Sequence, residues 1–415
     1  VNYTFGEEIT DLTASSTSNR TVDIVIPDTI TKITSPNNGF TKLSDIEVDL
    51  GEAQFDESDA DNNYCLFTSD SWGRMWSWRM GNGSSSTNTC EVKKITCNSE
   101  YIPRFFCTRN DLIESVVLGD KVKYIDAGFL CGCNVSTKYG AVFDRLTFSL
   151  PENIEAICAD SFISRTNIDN VDLSSLPHVA LTSDDLHNRV YTDANEDVLS
   201  TDTTRGVCEC AVNLTLPTSP DVYFPQGAFA LTNYSTDSRM NEFTGARMRT
   251  VNFNGAERLP NYAFYGQTAL ESVTASKDFY LGTESDVAAD RNHRCFFNCK
   301  SLTSFPFNHL KGRIGYNEFN GCEVLETPDD NCTFSGITAL NAYGEYSDTD
   351  TTNTVNNYSG AFKNCIAITK LTFDDTCTFT FVGADFAYGC TALREVRLPK
   401  TCMRICSGAF DECTV

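Results

Sequence analysis

Residues 361–373 read Ala-Phe-Lys-Asn-Cys-Ile-Ala-Ile-Thr-Lys-Leu-Thr-Phe, and residues 386–399 read Phe-Ala-Tyr-Gly-Cys-Thr-Ala-Leu-Arg-Glu-Val-Arg-Leu-Pro. Each stretch sets a phenylalanine three or four residues before a cysteine, an aliphatic residue three beyond it, and then a run of alternating apolar side chains. The cadence returns as Cys295-Phe-Phe-Asn-Cys299-Lys-Ser-Leu302, Glu318-Phe-Asn-Gly-Cys322-Glu-Val-Leu325 and Ala409-Phe-Asp-Glu-Cys413. A repeat has to be recognised before individual elements are counted, because missing it misassigns the whole architecture. Where the anchors are closest, Phe106 to Phe129, Phe296 to Phe319 and Phe386 to Phe410, they stand 23 or 24 residues apart. Phe264, Phe229, Phe162 and, more loosely, Phe40 extend the series backwards. Wider gaps read as the same unit carrying an insertion, which gives about eleven coils.

Between anchors, Leu146-Thr-Phe148, Val171-Asp-Leu173, Val251-Asn-Phe253, Leu371-Thr-Phe373 and Val396-Arg-Leu398 have the two-residue period of a strand with one buried face. A second signature follows: Pro27-x-x-Ile30-x-x-Ile33, Gly119-x-x-Val122-x-x-Ile125, Pro151-x-x-Ile154-x-x-Ile157 and Pro399-x-x-Cys402-x-x-Ile405. Proline or glycine ends the strand, and two apolar residues three apart suit a tight turn back toward the core. A unit of this length cannot enclose its own apolar face, so neighbouring coils must stack. The expected fold is a solenoid: a parallel β-sheet with one short strand per coil, irregular or short-helical returns, and long loop insertions. Its structural ladder comprises Phe296, Cys299, Phe319, Cys322, Phe362, Cys365, Phe386, Cys390, Phe410 and Cys413.

The pattern Ala-Phe-x-x-Cys-x-x-Leu-x-x-Val-x-Leu-Pro, nearly complete from Phe386 to Pro399, resembles the BspA-like leucine-rich repeat family. The resemblance implies a parallel-sheet solenoid on a cell-surface or secreted protein, linked to adhesion and binding of host proteins, without a catalytic centre. Long, unequal insertions depart from that pattern.

Composition narrows the partners. With 32 basic and 56 acidic side chains among 415 residues, the formal charge is −24, which repels phosphate backbones, so nucleic acid is not expected. No apolar run reaches the roughly 18–20 residues that a bilayer requires, so no membrane span is expected. The four histidines, His178, His187, His293 and His309, form no metal-binding pair at useful spacing, and neither a nucleophile elbow nor a phosphate-binding loop is present. The chain is read as no enzyme, with no cofactor. Asp59-Ala-Asp61-Asn-Asn63 imitates a calcium loop, but Tyr64 stands where glycine is needed, so no metal is assigned.

The 19 cysteines cannot all pair within one chain. Ladder cysteines in adjacent coils would lie about 4.8 Å apart, and small buried thiols packing as a column are the reading preferred over disulfides. Two Cys-x-Cys pairs, Cys131 with Cys133 and Cys208 with Cys210, lie too far apart in sequence to make an evident zinc site.

Function is expected in the insertions, which change shape without disturbing the stacked core. They cover roughly 52–90, 177–220, 231–248, 276–293 and 335–358. All three tryptophans fall within the first, in the run Ser71-Trp72-Gly73-Arg74-Met75-Trp76-Ser77-Trp78-Arg79-Met80. Indoles fill partner pockets and arginine adds a planar donor fork, so Trp72, Arg74, Trp76, Trp78 and Arg79 are the candidate binding residues; anchoring of the insertion on the coils is the competing reading. The organisation expected is an N-terminal segment with a first degenerate repeat (1–51), the Trp-containing insertion (52–90), repeats (91–176), an insertion (177–220) and further repeats (221–415). The leading function is non-catalytic adhesion, through a protein or glycan on a host or neighbouring surface. Val415 stands two residues past Cys413, in mid-repeat. That position motivates two further expectations: self-association through an uncapped C-terminal coil, and, as the alternative function, a structural part of an assembly such as a phage or viral fibre, a capsid decoration (a virion location) or a bacterial surface layer.

Overall fold

A computed structural model describes residues 94–104, 106–107, 113–133, 146–164, 166–191, 206–231, 246–282, 293–327, 332–340 and 358–414, together with Gly51 and the backbone of six short N-terminal stretches, at 2–4, 11–12, 23–25, 32–33, 46–49 and 92–93. They form two compact units, the first up to Tyr191 with Arg205–Ala211, the second from Val212–Tyr234 and Gly245–Val415. Every strand pair within each unit is parallel, as stacked coils of one handedness require.

In the first unit the strands of the first column pair coil to coil in two separate runs. Asn2–Thr4, Asp23–Val25, Ile46–Asp49, Val92–Cys97 and Ser115–Leu118 pair in chain order, and Thr147–Ser149 pairs with Ile168–Asp172. In the second unit Ala211–Thr215, Thr250–Asn252 and Ser272–Thr274 make one sheet, and Thr333–Phe334, Lys370–Phe373 and Glu395–Arg397 another. The sequence motifs sit on these strands with alternate burial: in Lys370–Phe373, Leu371 and Phe373 are buried while Lys370 and Thr372 are partly exposed.

The structure adds a second column of strands beyond the one expected per coil. After Gly119, Pro151 and Pro399 the chain makes the anticipated tight turn, with the N–H of Val122, Ile154 and Cys402 donating to those residues' carbonyls at 3.3, 3.2 and 3.1 Å. It then straightens at once into Tyr124–Ile125, Ala156–Cys158 and Arg404–Ile405, which pair with the same segment of neighbouring coils. Two or three residues are too few for a periodicity to show, so this column is legible only once the coils are stacked. Likewise the stretch 177–220, read as one insertion, contributes Val179–Ala180 to the second column and Ala211–Thr215 to the first.

The anchors line up as proposed. In the first unit Phe106, Phe129 and Phe162 stack with centroids 6.0 and 5.6 Å apart. In the second, Phe229, Phe264, Phe296, Phe319 and Phe362 follow one another at 5.2–5.5 Å with interplanar angles of 17° or less. All are fully buried. Phe305 and, from its strand, Phe334 pack against this column, Phe305 meeting Phe319 edge-on at 4.8 Å, and Phe373 stacks on Phe334 at 4.7 Å. Aromatic pairs of this kind contribute about 0.5–1.5 kcal/mol each beyond their buried area.

The cysteines form a second column joined to the first. The thiol of Cys299 donates to the carbonyl of Phe264, Cys322 to Phe296, Cys365 to Phe319 and Cys390 to Phe362, at 3.0–3.3 Å, so each coil's sulfur is tied to the preceding coil's anchor. Cys413 instead donates to Ala387. The backbone explains this departure. Phe319 N–H donates to Ala361 and Phe362 N–H to Phe386, whereas Ala387 N–H donates to Ala409, so Ala387, not Phe386, occupies the anchor's backbone place. The order Phe-Ala at 386–387 inverts the Ala-Phe of 361–362, and the displaced ring reaches the column edge-on, at 83° to Phe362 and 80° to Phe410.

Two predictions follow from these columns. Replacing Phe319 by Ala removes a fully buried ring from the stack and is expected to cost about 3–5 kcal/mol in denaturant unfolding, against under about 0.5 kcal/mol for a surface change such as Glu323→Gln. Burial raises the Cys390 thiol from 9.0 to about 12 and lifts Cys299 and Cys365 well above 9.0. A raised folded-state value means that the stabilisation is intact below pH 9, where unfolded thiols stay protonated, and falls as pH rises toward 12. Unfolding free energies measured across that window should therefore decline, and a Cys365→Ala/Cys390→Ala variant should decline less.

Candidate functional site

Insertions leave a stack at points where backbone ladders stop, and there the protein buries polar side chains that hold the loop ends. The first example lies in the first unit. Asp126 is completely buried and accepts from the hydroxyls of Tyr101 and Ser183, the latter at 2.6 Å, from the Ala127 N–H at 2.6 Å, and faces His187 Nε2 at 3.3 Å. Tyr101 Oη also meets His187 Nε2 at 2.7 Å. Ser183 and His187 open and close a five-residue helix whose N-terminus carries a reciprocal Thr182–Asp185 capping box. Burial pushes the Asp126 carboxyl up, but the bonds from His187, Ser183, Tyr101 and Ala127 outweigh it and hold the group below its ordinary 3.8. Serine, histidine and aspartate are thus brought together, but Ser183 donates directly to the carboxylate. The order nucleophile, base, orienting acid that activates a serine is not built.

A second clamp lies in the second unit. Glu318, fully buried, accepts the Cys295 N–H at 2.9 Å and holds His293 Nδ1 at 2.7 Å. The imidazole lies against Gly282 and Gly315; a Cβ on Gly315 would come within 2.4 Å of the ring, so only glycine fits there. Gly282 and His293 flank residues 283–292, so this pair fastens both ends of that insertion. At the return from 341–357, the Asn317 N–H donates to the carbonyl of buried Ser359 at 2.9 Å.

The second unit also carries a cleft of about 430 Å³ where its strand column is broken. Aligning the coils from Cys299 and Cys390 sets Ser304-Phe305-Pro306 at the place of the strand Glu395–Arg397. Ser304 makes a single bridge to Ser272, with Val273 N–H donating to Ser304 C=O at 3.0 Å. The next rung would need an N–H from residue 306, and proline has none. Val273's carbonyl is left facing the gap, and the chain turns into a 3-10 helix, Phe307–His309. Thr274, Ser304, Asn308 and Glu326 stand exposed around the opening, with Pro306 and His309 partly exposed and Phe305 buried beneath. His309 Nδ1 lies 3.3 Å from Asp278 Oδ1.

The ladder residues expected from sequence are thus brought together, with Ala387 taking the anchor position in one coil. Trp72, Arg74, Trp76, Trp78 and Arg79, the calcium-like run from Asp59 to Asn63, and Phe40 lie outside the described residues. The clamps and the cleft were not found by sequence reasoning. For the cleft a signal existed, a proline inside the strand of one repeat; for Asp126 and Glu318, two among 56 acids, none did.

Replacing Asp126 by Ala should leave His187 and Ser183 without their shared acceptor. Hydrogen exchange of the Ser183–His187 amides is expected to accelerate at least tenfold while the amides of Ala156–Cys158 stay protected; unchanged helix protection would contradict the clamp.

Comparison with known proteins places the repeats. Residues 236–338 and 289–415 match the model for the BspA type leucine rich repeat region, with six copies. A search of curated proteins gave no match. Among solved structures, a leucine-rich repeat protein from Bacteroides ovatus is similar at 14% identity and a TM-score of 0.38, over 94% of this chain and 76% of its own. A leucine rich cell surface protein from Faecalibacterium prausnitzii is similar at 15% identity and a TM-score of 0.24, over 95% of this chain and 76% of its own. With the recurring anchor, the thiol column and the parallel coils all present there, residues 236–415 are BspA-type leucine-rich repeats.

Proposed function

We propose that the protein is a non-catalytic, surface-exposed or secreted binding protein that mediates adhesion by holding a protein or a glycan. The observation that carries this reading is the division of labour within the fold. Phenylalanines and cysteines are consumed by the core, while the insertions are fastened at their ends by buried polar pairs such as His293–Glu318. A loop mounted on rigid elements loses less conformational freedom when it engages a partner, so affinity rises without new contacts. The four acidic and histidine groups of these clamps, Asp126, His187, Glu318 and His293, serve to fasten chain, which fits a scaffold better than an enzyme. No helix among the described residues is long and apolar enough to cross a membrane.

The contact surface assigned here is the Trp-Arg segment, Trp72, Arg74, Trp76, Trp78 and Arg79. Tryptophan and arginine are the residues most enriched where truncation costs binding energy. Screening the chain on glycan and protein arrays, followed by competition, tests this. Trp76→Ala is expected to weaken binding by tenfold or more with an unchanged melting temperature. Equal binding by the variant would reject the segment, and a chain that retains no ligand of either class would reject the adhesion reading.

A further inference from the structure

Residues around the broken strand column have a chemistry that the Trp-Arg segment does not share. The opening is edged by hydroxyl, amide and imidazole groups on Thr274, Ser304, Asn308 and His309, with Glu326 at the margin. Hydroxyls and amides both donate and accept, which is the requirement for a ligand whose own polar groups do both. Pro306 and buried Phe305 supply an apolar floor. Val273 C=O adds a fixed acceptor, because Pro306 cannot donate to it. His309 is oriented through Nδ1 by Asp278, and its Nε2 has no partner among the described residues.

Charge selects further. Lys311 Nζ is committed to the Asn308 carbonyl at 2.7 Å and Ser335 Oγ at 2.9 Å, with Asp278 3.7 Å away. Beside Glu326 and Asp278, on a chain of net charge −24, an anionic ligand meets net repulsion. A peptide strand would need an open sheet edge several residues long, whereas the gap exposes one rung and then meets the 3-10 helix Phe307–His309. The volume of about 430 Å³ accommodates one or two sugar rings.

We infer that this cleft binds a neutral sugar residue of a glycan, the apolar face of the ring over Pro306 and its hydroxyls toward Ser304, Asn308, His309 and the Val273 carbonyl. The inference rests on the binding reading above and names a ligand class and a second site for it. One ring in an open cleft is held weakly, with Kd on the order of millimolar.

The test uses the full chain and ligand-observed NMR with methyl glucoside, methyl galactoside, methyl mannoside and N-acetylglucosamine, with sialic acid and acetylated tripeptides as contrasts. At least one neutral sugar is expected to bind. Ser304→Tyr, which fills the opening from an exposed position, should reduce its affinity at least tenfold, and Asn308→Ala severalfold. The surface change Lys400→Gln, outside both binding surfaces, should leave it unchanged. Circular dichroism and melting report folding of each variant; should Ser304→Tyr misfold, Asn308→Ala combined with His309→Ala, both on the surface, decides. Sugar binding untouched by these substitutions, or preferential binding of sialic acid or tripeptides, overturns the inference. Array ligands that persist on the Ser304→Tyr protein while no neutral sugar binds would remove the cleft site and leave the adhesion reading standing.

Discussion

The contact on which this structure depends is made between one coil and the next: a phenylalanine ring laid on the preceding ring, with the cysteine thiol three residues later donating to that preceding residue's carbonyl. A coil of 23 residues has too little apolar surface to fold alone, so its stability is a property of its neighbours. Ring and thiol solve different parts of the problem. The ring supplies buried area and repeats at a spacing slightly wider than the roughly 4.8 Å between strands. The thiol is small enough to fit beside it and adds a second hydrogen bond to a carbonyl that already accepts one amide, as Phe296 C=O accepts the Cys299 N–H at 3.2 Å and the Cys322 thiol at 3.2 Å. Serine would make a similar bond but would bury a more polar group; alanine would leave the carbonyl with its amide bond alone.

Because the column is repetitive, it was legible in the sequence. Phe296, Phe319 and Phe362 with Cys299, Cys322 and Cys365 announce themselves by spacing, and all six are fully buried. What escaped was whatever repetition does not encode. Tyr124–Ile125 and its partners are strands of two or three residues, formed because stacked coils place them beside one another and not because they alternate. The inversion at Phe386-Ala387 keeps the same two residue types in the opposite order, so the backbone register shifts by one while the composition stays the same. The rings then meet at near right angles, a favourable geometry too, which explains why the coil tolerates the change.

The clamps escaped for a different reason. Asp126 and Ser183 are 57 residues apart, and Glu318 and His293 are 25 apart, so each pair becomes adjacent only through the winding of the chain. Their common logic is that a loop leaving a parallel ladder abandons hydrogen-bonding groups, and buried charge or hydroxyl restores them. A similar departure produces the cleft. One proline at 306 ends a strand early, and the second column, in which Leu310–Arg313 still pairs with Phe279–Leu281, carries the stack past the defect. Redundancy of two strand columns thus lets one be interrupted without loss of the fold, and the interruption becomes a concave surface.

A double-mutant cycle tests the central claim most directly. Phe264 and Phe296, with ring centroids 5.3 Å apart, would each be replaced by Leu, singly and together, and unfolding free energies compared with a second cycle on Phe264 and Phe362, three coils apart in the column. Stacked columns predict a coupling of about 0.5–1.5 kcal/mol for the adjacent pair and additivity within about 0.5 kcal/mol for the distant one. Full additivity of Phe264 with Phe296, or equal coupling in both cycles, would contradict a core assembled ring upon ring between successive coils.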